Sequence, residues 1–70
     1  MINNLKSYRE QKGLTQEQLA HRVGTSRQSI ISIEKGYYVP TTIMALKLSA
    51  VLKITVEKLF ALEDNDWQPG

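Results

Sequence analysis

The apolar residues at the start of the chain recur every three residues, which is the spacing of one face of a helix. Ile2, Leu5 and Tyr8 share this face, and the segment runs into Gly13. Glycine readily takes the left-handed conformation in which many helices end. The pattern therefore predicts a first helix over this segment, ending just before Gly13.

Two further segments are bounded by residues that cap helices. Thr15 and Gln18 have the spacing of a capping box, and Gly24 follows the second segment. Ser26 is suited to cap a third helix over about residues 26–35. This segment contains the β-branched stretch "SIISI", but its cap and length favour a helix over a strand that would lack a partner.

The second half of the chain predicts two more helices. Pro40 disfavours helical backbone at the residue before it, so the fourth helix begins after a loop, with Thr41 or Thr42 as its cap. Thr55 is suited to cap a short fifth helix, "VEKLFAL". Because strand signals are almost absent, the pattern predicts an all-α fold, a compact five-helix bundle.

The chain ends in a short polar segment. We expect one domain over residues 1–62 and a polar C-terminal tail over residues 63–70. Trp67 could pin this tail to the body, as an extended segment beside residues 1–4 or as part of a dimer contact. The acidic stretch "EDND" is interpreted as a solvated charge run rather than as a metal-binding loop.

The third helix has two distinct faces. At 100° per residue, Ser29, Ile30 and Ile33 form an inward stripe. The opposite face is mostly polar or cationic and consists of Arg27, Gln28, Ile31, Ser32 and Lys35. Since a single helix fits the major groove of DNA, this face is a candidate for contacting base edges.

The side chains on this face suit base recognition. Arg27 could pair with guanine and Gln28 with adenine, each through two hydrogen bonds. Ile31 could contact a thymine methyl group, or it could instead pack on the loop before the fourth helix. Any surface helix exposes Arg, Gln and Lys, so this face alone does not decide the function.

Composition narrows the choice of function. Residues 1–53 carry eight Lys and Arg against three Glu, whereas residues 54–70 carry one Lys against four acidic residues. A basic body suits a polyanionic partner.

With no Cys and with His21 as its one His, the chain indicates no enzyme, no metal site and no cofactor. No apolar stretch approaches the ~20 residues of a membrane span, so a cytoplasmic protein is expected.

Small residues at fixed positions complete the pattern. Two helices that cross through a short turn need a small side chain at the crossing and a flexible residue in the turn, as Ala20 and Gly24 provide. With the spacing "LTQEQLAHRVGTSRQSIISIEKG", residues 2–60 resemble the helix-turn-helix domain of phage repressors and Cro proteins, the XRE family. The resemblance implies a lambda-repressor-like fold and a sequence-specific DNA-binding transcriptional regulator, most simply a repressor.

The resemblance also implies roles for single residues. Contacts to the DNA backbone are expected from Gln16, Ser26, Lys35 and Tyr38, and contacts to bases from Arg27, Gln28, Ile31 and Ser32. Helix N-termini offer phosphates unpaired N–H groups and partial positive charge. Because Ser32 is too short for a two-bond contact, base recognition is expected to depend mainly on Arg27 and Gln28.

Arg9 and Glu34 match positions that often form a partly buried ion pair in this family. We interpret them as structural, because Glu34 lies beside the inward stripe of the third helix and would repel phosphate. Replacement of Glu34 is therefore expected to unfold the domain before it alters specificity.

A single recognition helix covers only a few base pairs, so a homodimer on a palindromic operator is expected, with half-sites about 34 Å apart. The candidate dimer residues are apolar: Leu46, Ile54, Leu59, Phe60 and Trp67. The alternative for Leu59 and Phe60 is that they only close the core of the monomer. No small-molecule ligand is expected.

The competing function is that of an antitoxin or protein-interaction module, because domains that resemble this one also bind a second protein. Such antitoxins usually carry a separate segment that wraps the toxin, and only ten residues follow residue 60. A DNA-binding regulator is therefore preferred. Contact with phosphates would appear as a log-linear loss of binding as salt rises.

Overall fold

A computed structural model describes residues 1–69 of the chain. Its helices are α1 (Leu5–Gln11), α2 (Gln16–Val23), α3 (Arg27–Glu34), α4 (Thr42–Leu52) and α5 (Val56–Leu59). Two short strands, β1 (Ile2–Asn3) and β2 (Phe60–Ala61), and a 3-10 helix (Asp64–Trp67) complete the secondary structure of this part. The prediction of five helices is confirmed. None of the helices within residues 1–69 has the length and apolar character that a membrane crossing requires.

The predicted capping residues begin three of the helices. The Thr15 hydroxyl accepts from the backbone N–H of Gln18 at 3.0 Å, and the side-chain Oε1 of Gln18 accepts from the backbone N–H of Thr15 at 2.8 Å. Ser26 and Thr41 cap α3 and α4 through an N–H group three residues on. Thr55 precedes α5 but makes no side-chain capping bond. The first three caps satisfy donors that a helix start leaves without an intrahelical partner.

The first helix begins later, and the fifth ends earlier, than apolar spacing predicts. β1 pairs antiparallel with β2, with Ile2 opposite Ala61. Beside them, the Asn4 N–H donates to the Leu59 carbonyl at 2.8 Å. The two chain ends satisfy each other's backbone groups, so both remain extended where local spacing favours a helix. The extended segment beside residues 1–4 is therefore β2 and not the tail.

The centre of the core consists of large side chains with no exposed surface: Leu5, Leu19, Ile30, Ile33, Leu48, Leu52 and Leu59. Phe60 is only 8% exposed. Leu59 and Phe60 therefore close the core of the monomer. This agrees with the alternative given for these two residues and not with their prediction as dimer contacts. Of the other candidates, Leu46 and Trp67 are exposed, and Ile54 packs half-buried against the core.

Ion pairs hold the start of the chain to the tail. The Met1 ammonium lies 2.8 Å from a carboxylate oxygen of Glu63 and 3.1 Å from one of Asp66. The bond to Glu63, followed by the bond to Asp66, raises the pKa of the ammonium. The backbone N–H of Glu63 donates to Asp66 at 2.7 Å, and this bond, followed by the ammonium, lowers the pKa of Asp66. Part of the acidic stretch therefore contacts the body instead of being only solvated.

This tail contact is expected to weaken at both low and high pH. Asp66, whose pKa is lowered, stabilises the contact above its ordinary pKa of 3.8, and the contribution is lost as the pH falls through the lowered pKa. The Met1 ammonium, whose pKa is raised, contributes below its ordinary pKa of 8.0, and the contribution is lost as the pH rises through the raised pKa. The NMR shift of the Glu63 amide should show both transitions.

Two substitutions in the same turn provide the comparison. Asp66→Asn should markedly reduce the acidic transition of the Glu63 amide, because the acceptor of its N–H then no longer titrates. Asp64→Asn, which leaves these bonds in place, should preserve it. An acidic transition of undiminished size in the Asp66 variant would contradict the assignment.

Candidate nucleic-acid interface

A turn over residues 24–26 joins α2 to α3. Gly24 has a φ of 75°, in the left-handed region that glycine adopts without steric cost. The Thr25 N–H donates to the Ala20 carbonyl at 2.9 Å, which satisfies an acceptor at the end of α2. Ala20 is 2% exposed, and its small side chain lies in the core. Because α2 and α3 pack directly against each other, the predicted pair of helices and its turn are confirmed.

The two predicted faces of α3 differ in exposure. Ile30 and Ile33 are fully buried, as their spacing predicts, and Ser29 is half-buried. The opposite face comprises the exposed Arg27, Gln28 and Lys35 and the half-buried Ile31 and Ser32. The structure thus brings the predicted base-contacting residues together on one helix and leaves the longest polar side chains open.

Three of the residues predicted to contact the DNA backbone lie at or near the two ends of α3. The Ser26 hydroxyl accepts from the Ser29 N–H at 3.1 Å and lies 2.9 Å from the Ser29 hydroxyl. Tyr38 is 42% exposed in the loop that follows the helix. The Lys35 Nζ lies 5.9 Å from the centre of the Tyr37 ring, which is a cation–π distance. Polar groups therefore flank both ends of the exposed face.

Arg9 and Glu34 form the ion pair that the family resemblance implies. The Arg9 Nε donates to Glu34 Oε2 at 2.6 Å, and its Nη2 donates to Oε1 at 3.2 Å. The Nη1 donates to the Leu14 carbonyl at 2.8 Å. The Arg9 and Glu34 side chains are 8% and 4% exposed, and their hydrogen bond is the largest cause of the raised pKa of Arg9. One guanidinium thus links α1, the loop before α2 and the last residue of α3.

Gln16, the first residue of α2, binds the same carboxylate. Its Nε2 donates to Glu34 Oε1 at 3.1 Å, and the residue is half-buried. Sequence spacing does not predict this bond, because the two residues lie on different helices and 18 positions apart. Gln16 therefore has a partner within the protein in addition to the phosphate contact expected of it.

Asn3 is a residue that sequence analysis missed. Its side-chain N–H donates to the Ile33 carbonyl, and its Oδ1 accepts from the Leu5 N–H at 3.0 Å. The only signal in the sequence was the polar pair "NN" ahead of the first helix, which does not identify a partner. β1 is thus tied to the C-terminal end of α3.

Comparison with known proteins identifies the family. A helix-turn-helix family model matches residues 5–59. An HTH-type transcriptional regulator of Methanocaldococcus jannaschii is 46% identical over 66 residues, which are 94% of this chain and 100% of that protein. One of Bacillus subtilis is 39% identical, with the same coverage of both chains. The chain belongs to the helix-turn-helix family of transcriptional regulators, as the resemblance to phage repressors and Cro proteins implies.

A solved structure agrees with this assignment. A chain of the SinR protein/SinI protein complex has a TM-score of 0.79 and 30% identity, over 97% of this chain and 68% of that chain. The HTH-type transcriptional regulator SinR of Bacillus licheniformis is 34% identical over 67 residues, which are 94% of this chain and 60% of that protein. Because SinR has the lambda-repressor-like fold, the predicted fold is confirmed.

Removal of the Glu34 carboxylate is expected to destabilise the domain strongly, because the Arg9 guanidinium is then buried without a counter-charge. Glu34→Ala should lower the free energy of unfolding by about 3–5 kcal/mol, measured by urea denaturation. Joint replacement by Arg9→Met and Glu34→Leu should restore most of this loss, since apolar residues often replace buried ion pairs without penalty.

The exposed Glu17 provides the matched control for this measurement. Glu17→Ala removes a carboxylate from the first turn of α2 and should change the free energy of unfolding by less than about 1 kcal/mol. If Glu34→Ala is as mild as Glu17→Ala, the ion pair does not stabilise the fold.

Proposed function

We propose that this chain is a sequence-specific repressor that binds double-stranded DNA in the cytoplasm as a homodimer, with α3 in the major groove. The observation that carries the proposal is the exposure of Arg27, Gln28 and Lys35 on a helix whose other face is buried by Ile30 and Ile33. In the major groove, arginine and glutamine distinguish guanine and adenine through two hydrogen bonds each. Family membership supports DNA binding by the same helix pair.

The charge of α3 also supports contact with a polyanion. Its one carboxylate, Glu34, is paired with Arg9 and almost fully buried. The ionisable groups exposed along the helix and its C-cap are therefore the cations Arg27 and Lys35. The proposed phosphate contacts are Gln16, Ser26, Lys35 and Tyr38, and the proposed base contacts are Arg27, Gln28, Ile31 and Ser32.

Joint replacement by Arg27→Ala and Gln28→Ala tests base recognition. Each two-bond contact contributes about 1–3 kcal/mol of discrimination, so the variant should lose the consensus that the wild type selects from a random pool of duplexes. It should still bind any duplex weakly through its remaining phosphate contacts. The readout is the sequence of the duplexes recovered from the pool.

Lys58 and Gln68 supply the control for this experiment. Lys58→Ala with Gln68→Ala removes one cation and one amide from exposed positions in α5 and the tail, and should leave the consensus unchanged. A consensus that survives Arg27→Ala with Gln28→Ala would exclude these two residues from base recognition.

The homodimer is proposed to form through the exposed side of α4. Leu46 is 58% exposed there and lines an apolar groove with Val39, Val56 and Phe60. A second copy would cover apolar surface that the small core leaves open, and would present two recognition helices to half-sites about 34 Å apart. The proposed contact residues are Ile43, Leu46, Ile54 and Trp67.

Leu46→Lys is expected to dissociate the dimer, because two copies would bring like charges into an apolar contact. Sedimentation equilibrium should give twice the chain mass of 8.0 kDa for the wild type and the single mass for the variant. Leu62→Lys, at a leucine of similar exposure ahead of the 3-10 helix, should remain a dimer. A monomeric wild type or a dimeric Leu46→Lys variant would contradict the proposed contact.

A second candidate function is that of a protein-interaction module or antitoxin. It is favoured by one observation, that the similar solved structure is of SinR in a complex with the SinI protein. The salt dependence of duplex binding distinguishes the two functions. A protein that contacts phosphates releases counterions, so the logarithm of its affinity falls linearly with the logarithm of the salt concentration. Failure to bind a duplex even at low salt would favour the second function.

A further inference from the structure

One carboxylate oxygen of Glu34 accepts hydrogen bonds from two side chains. The Arg9 Nη2 donates to Oε1 at 3.2 Å, and the Gln16 Nε2 donates to the same oxygen at 3.1 Å. We infer that Glu34 is a positioning residue for Gln16: it orients the amide so that its second N–H is available to an oxygen of the DNA backbone. The inference rests on the proposed DNA binding.

The chemistry of the two groups determines how the amide is turned. An ionised carboxylate only accepts hydrogen bonds, whereas a glutamine amide has two N–H donors on its nitrogen and an acceptor on its oxygen. Gln16 therefore turns its nitrogen toward Glu34. One N–H is used by the carboxylate, and the second stays available. Phosphate oxygens of the DNA backbone are acceptors, so this second N–H suits them.

Arg9 allows an acidic residue to take this role next to DNA. An unpaired carboxylate would repel a phosphate and weaken binding. Here the guanidinium donates to both oxygens of Glu34, at 2.6 and 3.2 Å, and the Glu34 side chain is only 4% exposed. The pair carries no net charge, so the carboxylate that accepts from Gln16 does not repel a phosphate as an unpaired carboxylate would.

The place of Gln16 in the helix strengthens the contact. As the first residue of α2, it lies where backbone N–H groups lack intrahelical partners and where the helix carries partial positive charge. A side chain that is already ordered loses less conformational entropy when DNA binds. The typical free-energy cost of ordering one side chain at an interface corresponds to a change of about three- to tenfold in Kd.

A double-mutant cycle on DNA affinity separates positioning from stability. Arg9→Met with Glu34→Leu replaces the ion pair by apolar side chains and removes the acceptor, and Gln16→Ala removes the amide. The Kd for one fixed duplex is measured at about 50 mM salt for the wild type, both variants and their combination. Circular dichroism establishes that each protein is folded.

If Glu34 positions Gln16, the effect of Gln16→Ala on DNA affinity depends on whether the ion pair is present. Gln16→Ala should weaken binding about three- to tenfold in the wild type and much less in the Arg9→Met, Glu34→Leu background. Because Gln16 is neutral, its removal should leave the slope of log Kd against log salt unchanged, whereas Lys35→Ala should reduce that slope by about 1.

The outcomes distinguish this inference from the proposed function. The same loss for Gln16→Ala in both backgrounds would overturn the inference and leave DNA binding intact. A wild-type protein that binds no duplex at this salt would overturn the proposed function, and the inference with it.

A measurement on the wild type applies even if the apolar pair does not fold. Nitrogen-15 relaxation of side-chain amides in the free protein should show restricted motion for Gln16 compared with the exposed Gln28. Equal mobility of the two amides would overturn the inference, because Glu34 would then not hold Gln16.

Discussion

The buried ion pair between Arg9 and Glu34 is the interaction on which the position of α3 depends. Removing two charged groups from water costs free energy, which is offset only when both keep good geometry and further hydrogen bonds. Arg9 meets this condition with three donors, two on Glu34 and one on the Leu14 carbonyl. A shift of α1 or α3 would leave a buried charge unpaired, so the two helices are held in one relative position.

The same pair determines the electrostatic character of the exposed face of α3. A glutamate in the last turn of a helix is unfavourable for the helix dipole, and an exposed one would repel a polyanion. Burial against Arg9 removes both effects. The helix then exposes Arg27, Gln28 and Lys35 without a competing carboxylate. A stabilising contact in the interior thus also prepares the surface that is proposed to meet DNA.

Contacts between the two ends of the chain brace α3 from another side. β1 pairs with β2, and the Asn3 side chain donates to the Ile33 carbonyl near the C-terminal end of α3. The Met1 ammonium adds ion pairs to Glu63 and Asp66. A 70-residue domain has a small core, and these backbone and side-chain bonds join its first residues to α3 and to the segment after α5.

The sequence by itself determined most helix boundaries and the division of α3 into an inward and an outward face. Caps such as Thr15 and Ser26, and the spacing of Ile30 and Ile33, act within a few residues and need no knowledge of the fold. The tertiary structure decided the strand pair, the burial of Leu59 and Phe60, and the bond from Gln16 to Glu34. It also decided that Ile31 and Ser32 are half-buried. These features depend on groups far apart along the chain, which meet only after the helices have packed.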